Sequence, residues 1–112
     1  MSVGFNGFGE NVATFEAASG VAAGKPVAVS ANNKVQNVTS GAFCGICVNV
    51  REGYAGVQLR GFVTMPYSGS VSVGYQKLAA AAGGKVTVDT TNGREYLVIE
   101  VNSTAGTIGF ML

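Results

Sequence analysis

Turn-forming residues break this chain about every 8–12 residues, and the runs between them alternate apolar with polar side chains. The clearest run is residues 57–65 (VQLRGFVTM): Val57, Leu59, Val63 and Met65 share one face, and Gln58, Arg60 and Thr64 share the other. Phe62 falls on the polar face unless Gly61 bulges and shifts the register by one. Either Gly61 is a bulge or Phe62 is an exposed contact residue. A chain of many such short runs folds as a β-barrel or β-sandwich.

Composition agrees. The sequence holds 17 Val and 8 Thr against 4 Leu, and branched side chains fit a pleated surface while crowding a helix turn. Residues 12–17, 25–31, 34–39, 43–50, 85–89, 95–102 and 107–112 read as further strands. In residues 95–102, Leu97, Ile99 and Val101 share one face. Asn32-Asn33 and Asn92-Gly93 read as hairpin turns. Residues 75–82 (YQKLAAAA) have helix propensity but span only two turns before Gly83-Gly84, so helix and strand both stand. Residues 66–74 read as a long loop or irregular edge segment. Residues 1–11, with three glycines and two asparagines around Phe5 and Phe8, carry no period and read as an extended N-terminal arm. At 112 residues the rest, 12–112, makes one small all-β domain of mostly antiparallel strands.

Charge and residue usage narrow the function. The net charge is +1, which leaves no overall electrostatic footprint for nucleic acid or an anionic membrane. There is no histidine, so the Ser-His-Asp and Cys-His nucleophile systems and every His metal ligand are excluded. Residues 1–10 carry no basic n-region and no apolar h-region, and no run reaches the ~20 apolar residues of a membrane helix. Only 12% of residues are charged, few for a lone soluble chain, and this points to a surface covered by neighbours in an assembly.

Cys44-Gly45-Ile46-Cys47 is a C-x-x-C, but it sits in a strand run, where three extended residues span about 10 Å and alternate faces. A disulfide needs Cα atoms roughly 4.4–6.8 Å apart, and zinc would need two more ligands. Two small apolar side chains in a reduced protein are the better reading. Glu10, Glu16, Glu52, Asp89, Glu95 and Glu100 read as solvated acids. The glycines of residues 4–9 lack the strand, Lys and helix of a phosphate loop. Arg51, Arg60 and Arg94 could bind a phosphate or carboxylate jointly, against a bland reading as dispersed surface charges. No catalytic residue, metal or cofactor is expected, and the chain is not read as an enzyme.

One family is similar in its residue order. Gly24-Lys25-Pro26-Val27-Ala28-Val29 precedes a polar turn, then Lys34-Val35 and Gly41-Ala42-Phe43-Cys44-Gly45-Ile46. Next come Val57-Gln58-Leu59-Arg60-Gly61-Phe62-Val63, the Tyr67-Ser68-Gly69 loop, Gly93-Arg94-Glu95-Tyr96-Leu97-Val98 and a terminal Ile-Gly-Phe strand. Over residues 13–112 this resembles the small head decoration, or cement, proteins of tailed bacteriophages and prophages. The resemblance implies a small β-barrel-like domain, often trimeric, on the capsid exterior, assembled in the host cytoplasm. Its partner would be the major capsid protein, whose subunits it clamps. It implies no active site.

Phe5, Phe8, Phe62 and Tyr67 are the candidate partner-binding residues. The arm would dock Phe5 and Phe8 on a sister subunit or on the capsid, with the protein's own barrel end as the bland alternative. The rival function is a small ligand- or carbohydrate-binding β-sandwich, with Tyr54, Tyr67 and Tyr75 as a stacking platform. A small hydrolase with an Arg/carboxylate site is a third reading.

Overall fold

In the computed structural model, which describes residues 11–112, ten strands divide into two sheets at a single glycine. The first five are β1 (Asn11–Ala17), β2 (Pro26–Ala31), β3 (Lys34–Asn37), β4 (Gly45–Arg51) and β5 (Tyr54–Arg60). They close into a barrel in the order β1-β3-β2-β4-β5. β1 completes the circle, antiparallel to β5 along most of its length and parallel to β3 at Glu16↔Lys34 and Ala17↔Val35. The other five are β6 (Phe62–Pro66), β7 (Gly74–Ala81), β8 (Lys85–Val88), β9 (Arg94–Asn102) and β10 (Thr107–Met111), ordered β6-β10-β9-β7-β8. The all-β expectation holds. Asn11, read as the end of the arm, is the first residue of β1. Phe5 and Phe8 lie outside the described residues.

Gly61 decides the architecture. Its φ is +101°, a conformation that L side chains rarely adopt. There the alternating run at 57–65 divides into β5 of the barrel and β6 of the second sheet. Gln58, assigned to the polar face, is only 5% exposed. Its side-chain Nε2 donates to the carbonyls of Arg60 (3.1 Å) and Phe62 (3.2 Å), strapping the break from both sides. Across the break the alternation keeps its phase: Val63 and Met65 enter the core, while Phe62 stays on the other face with Thr64 and is still only 7% exposed.

Each sheet has its own core. The barrel encloses Val21, Val27, Val35, Cys47, Ala55 and Val57. The second, larger cluster takes inward residues from every strand of its sheet, among them Met65, Leu78, Val86, Val98 and Phe110. Two residues from the barrel half enter it as well: Phe43, just before β4, and Ile46 within β4. Phe43 is stacked on Tyr96 at 5.3 Å between ring centroids and meets Phe110 edge-on at 6.3 Å. Burying a ring of this size contributes about 1.5–3 kcal/mol, and here it joins the two halves into one domain. The Ala80 N–H donates to the Gly41 carbonyl at 2.8 Å and fixes the same linker to β7.

Residues 75–82 resolve as strand, within β7. Leu78 and Ala80 lie opposite Val88 and Val86, and the central position in a sheet overrides the intrinsic preference of alanine for helix. The Asn92-Gly93 hairpin is corrected. β8 pairs with β7, and β9 pairs with the other side of β7. Asp89 makes the turn instead: one carboxylate oxygen accepts the N–H groups of Thr91 and Asn92, both at 3.0 Å. Gly93 is needed for close approach, since a Cβ there would lie 2.9 Å from the Lys77 carbonyl carbon and 3.0 Å from the Leu78 nitrogen. The inward face of β9 is also corrected. Tyr96 and Val98 face the core, and a register shift opposite Gly109/Phe110 lets Val101 join them, leaving Leu97 and Ile99 half-buried.

The outer edge of β8 is covered. Tyr67 bridges Val86 in parallel, the Ser68 N–H donates to the Val86 carbonyl at 2.9 Å, and the Thr87 hydroxyl donates to the Ser68 carbonyl at 3.1 Å. This is the protection an exposed sheet edge requires. It also gives residues 66–74, read as loop or edge, their second role.

Candidate functional site

The outer face of the second sheet carries an apolar row fixed by strand register. Phe62 on β6 lies opposite Met111 on β10, Met111 opposite Leu97 on β9, and Leu97 opposite Tyr75 on β7. Residues directly opposite in antiparallel strands share a face, so the four form one line across four strands. Exposure rises along it, from the buried Phe62 through half-buried Met111 and Leu97 to Tyr75 at 69%, with Val73 beside it at 62%. On the barrel, Val12, Val29, Val48, Val50 and Tyr54 are also large apolar side chains left exposed.

The partner-binding candidates fare differently. Phe62 is corrected: its ring lies over Gly109, where an added Cβ would come 2.8 Å from Phe62 Cε1 and 2.9 Å from Glu100 Cγ. It anchors the inner end of the row and is not an exposed contact residue. Tyr67 is half-buried against the larger core. Tyr54 stands on the barrel and Tyr75 on the second sheet, so the tyrosines proposed as one stacking platform are divided between two sheets.

The C-x-x-C is placed in the interior. β4 begins at Gly45, so Cys44 occupies the bend before the strand and does not alternate with Cys47 as extended geometry predicts. Both pack on the barrel core, and both are free thiols. Burial pushes both thiols above their ordinary pKa. The Cys47 thiol donates to the Asn49 carbonyl at 3.3 Å. Among the described residues, no group of three or more Cys, Asp or Glu is placed to hold a metal ion.

The three arginines do not form one site. Arg51 flanks the β4–β5 turn, next to Glu52 and Gly53, which both take positive φ. Arg60 ends β5, about 20 Å along the strand from Tyr54, the partner of Arg51. Arg60 and Arg94 do share a hollow of about 330 Å³, with Cys44, Leu59 and Leu112. A larger groove of about 520 Å³ runs between β4 and β6, past Val48, Gln58, Thr64 and Pro66. Sequence reading missed Gln58, because its side chain bonds backbone carbonyls that only the break at Gly61 brings within reach.

No protein-family model and no curated protein matches the chain.

Proposed function

We propose that this protein is a structural virion component. It binds the outer surface of a phage capsid and stabilises contacts between major capsid protein subunits, acting as a homo-oligomer, with a trimer favoured. The observation that carries the reading is the apolar row ending at Tyr75 and Val73, on a chain with only 12% charged residues. Large apolar side chains left open to water become favourable only when a neighbour covers them. The resemblance to head decoration proteins supplies the kind of neighbour. The reading assigns the chain no catalytic step, metal or cofactor.

The test uses shells assembled from the cognate capsid protein without decoration. Val73→Ser with Tyr75→Ser leaves the isolated protein folded, because neither side chain supports the core, and weakens shell binding at least tenfold. Full-strength binding by the double variant overturns the role of this face. Failure of the wild-type protein to bind shells overturns the whole reading, and millimolar or tighter sugar binding by the lone domain would favour the carbohydrate-binding alternative.

A further inference from the structure

The hollow between Arg60 and Arg94 shares no lining residue with the row proposed to meet the capsid, and its construction follows from three hydrogen-bonded backbone points. The Cys44 N–H donates to the Val27 carbonyl at 2.8 Å, the Leu112 N–H donates to the Gly61 carbonyl at 2.9 Å, and the Arg60 carbonyl accepts from Gln58 at 3.1 Å. The walls are therefore fixed before anything binds, which lowers the ordering cost of a ligand. Arg94 is held further: its guanidinium carbon sits 5.5 Å from the centroid of the Tyr96 ring, and Tyr96 is itself anchored by its hydroxyl to the Phe43 carbonyl.

Two guanidiniums lining one small hollow repel each other. No carboxylate among the described residues forms an ion pair with either of them. Guanidinium groups bind carboxylates through paired, charge-assisted hydrogen bonds. The rest of the lining comes from Leu59 and Leu112, with the Cys44 thiol beside them. Charged groups converging beside a few apolar side chains are the usual make-up of a specific small site. We propose that this hollow recognises a carboxylate carried on an apolar body, with Arg60 and Arg94 on the charge and Leu59 and Leu112 on the body.

The experiment uses the full-length protein and two probes, benzoate as a free acid and acetyl-Phe-Asp-Phe-amide as a polypeptide-borne carboxylate. Each is titrated by NMR. Arg60→Gln and Arg94→Gln each weaken binding at least tenfold, while Arg51→Gln, at the far end of β5, leaves it unchanged. Binding of the peptide at least tenfold tighter than benzoate identifies a protein side chain as the occupant; comparable binding identifies a small acid. Cys44 gives a readout that needs no variant. Saturating benzoate slows its reaction with uncharged dithiodipyridine at least fivefold, and Cys44→Ala removes the reacting thiol. If neither probe binds, or if Arg60→Gln and Arg94→Gln bind as wild type, the proposal is wrong and the guanidiniums are solvated surface charges.

Discussion

The hydroxyl of Tyr96 donates to the backbone carbonyl of Phe43 at 2.9 Å, across 53 residues of chain and in the buried interior. The same two residues stack their rings, so one contact fixes both the position and the orientation of the linker that enters the second sheet. Tyr96→Phe keeps the stack and leaves the Phe43 carbonyl without its donor, at a cost of about 1–3 kcal/mol. Phe43→Ala removes the plug itself, at about 3–5 kcal/mol. Urea denaturation ranks the two, and a neutral Tyr96→Phe would show that water replaces the hydroxyl.

Gly45 and Gly41 separate two reasons for glycine. A Cβ on Gly45 would collide with the Gln58 carbonyl oxygen and stand 2.8 Å from Val57 Cγ1. The first obstacle is backbone and cannot swing aside, so Gly45→Ala costs about 3 kcal/mol. Gly41 has open space around it and a φ of +76°, so Gly41→Ala bears only the left-handed backbone penalty, about 1–2 kcal/mol. Equal losses in thermal melts would contradict this reading of β4 against β5.

Stability falls on the alkaline side. Burial raises the pKa of Cys44 and Cys47 from the ordinary 9.0 and that of Tyr96 from 10.0. A group whose pKa is raised by folding stabilises fully below its unfolded value and loses that contribution as pH climbs through the folded one. Midpoints of denaturation should hold level to about pH 8 and drop above about pH 9. Replacing both cysteines with alanine removes the earlier part of the drop and lowers stability at pH 7 by about 1–3 kcal/mol.

Asp89 acts in the opposite direction. The N–H groups of Asn92 and Thr91 hold its carboxylate below the ordinary pKa of 3.8. A depressed pKa stabilises above the unfolded value and is lost as pH falls through the folded one. Asp89→Ala should therefore destabilise at neutral pH and flatten the acid limb below about pH 4. An unchanged acid limb would separate the turn from the protonation of this side chain.

Strands were legible where the sequence alternates. Residues 12–17, 25–31 and 107–112 read nearly as they fold, because each is a short run rich in branched or aromatic side chains bounded by turn residues. The division at 57–65 was not legible: the alternation offered a bulge at Gly61 or an exposed Phe62, whereas the chain breaks into two strands there and buries Phe62 over Gly109. The second sheet's order was not legible. Asn92-Gly93 carries the composition of a hairpin, but Asp89, three residues ahead of Asn92, captures the same N–H groups and sends the chain past β7. Tyr96 and Val98 were placed on the wrong face because an extra residue in β9, Ile99 between the partners of Phe110 and Gly109, resets the alternation. The apolar row crosses four strands that are far apart in sequence, so no local period reveals it. The pairing of Arg60 with Arg94 likewise depends on where Leu112 and Cys44 come to rest.

The closure of the barrel through β1 has a mechanical consequence. Asn11 lies opposite Arg60 and Glu16 opposite Tyr54, so β1 is laid along β5 from end to end, while its last two residues sit beside β3. Backbone hydrogen bonds in an antiparallel ladder run perpendicular to the strands. Tension drawn along β1 from Asn11 against an anchor at the Tyr54 end of β5 shears the β1–β5 bonds together, whereas the same pull resisted at Arg60, directly opposite Asn11, unzips them one at a time. A load applied at that end is borne by the circumference of a closed cylinder.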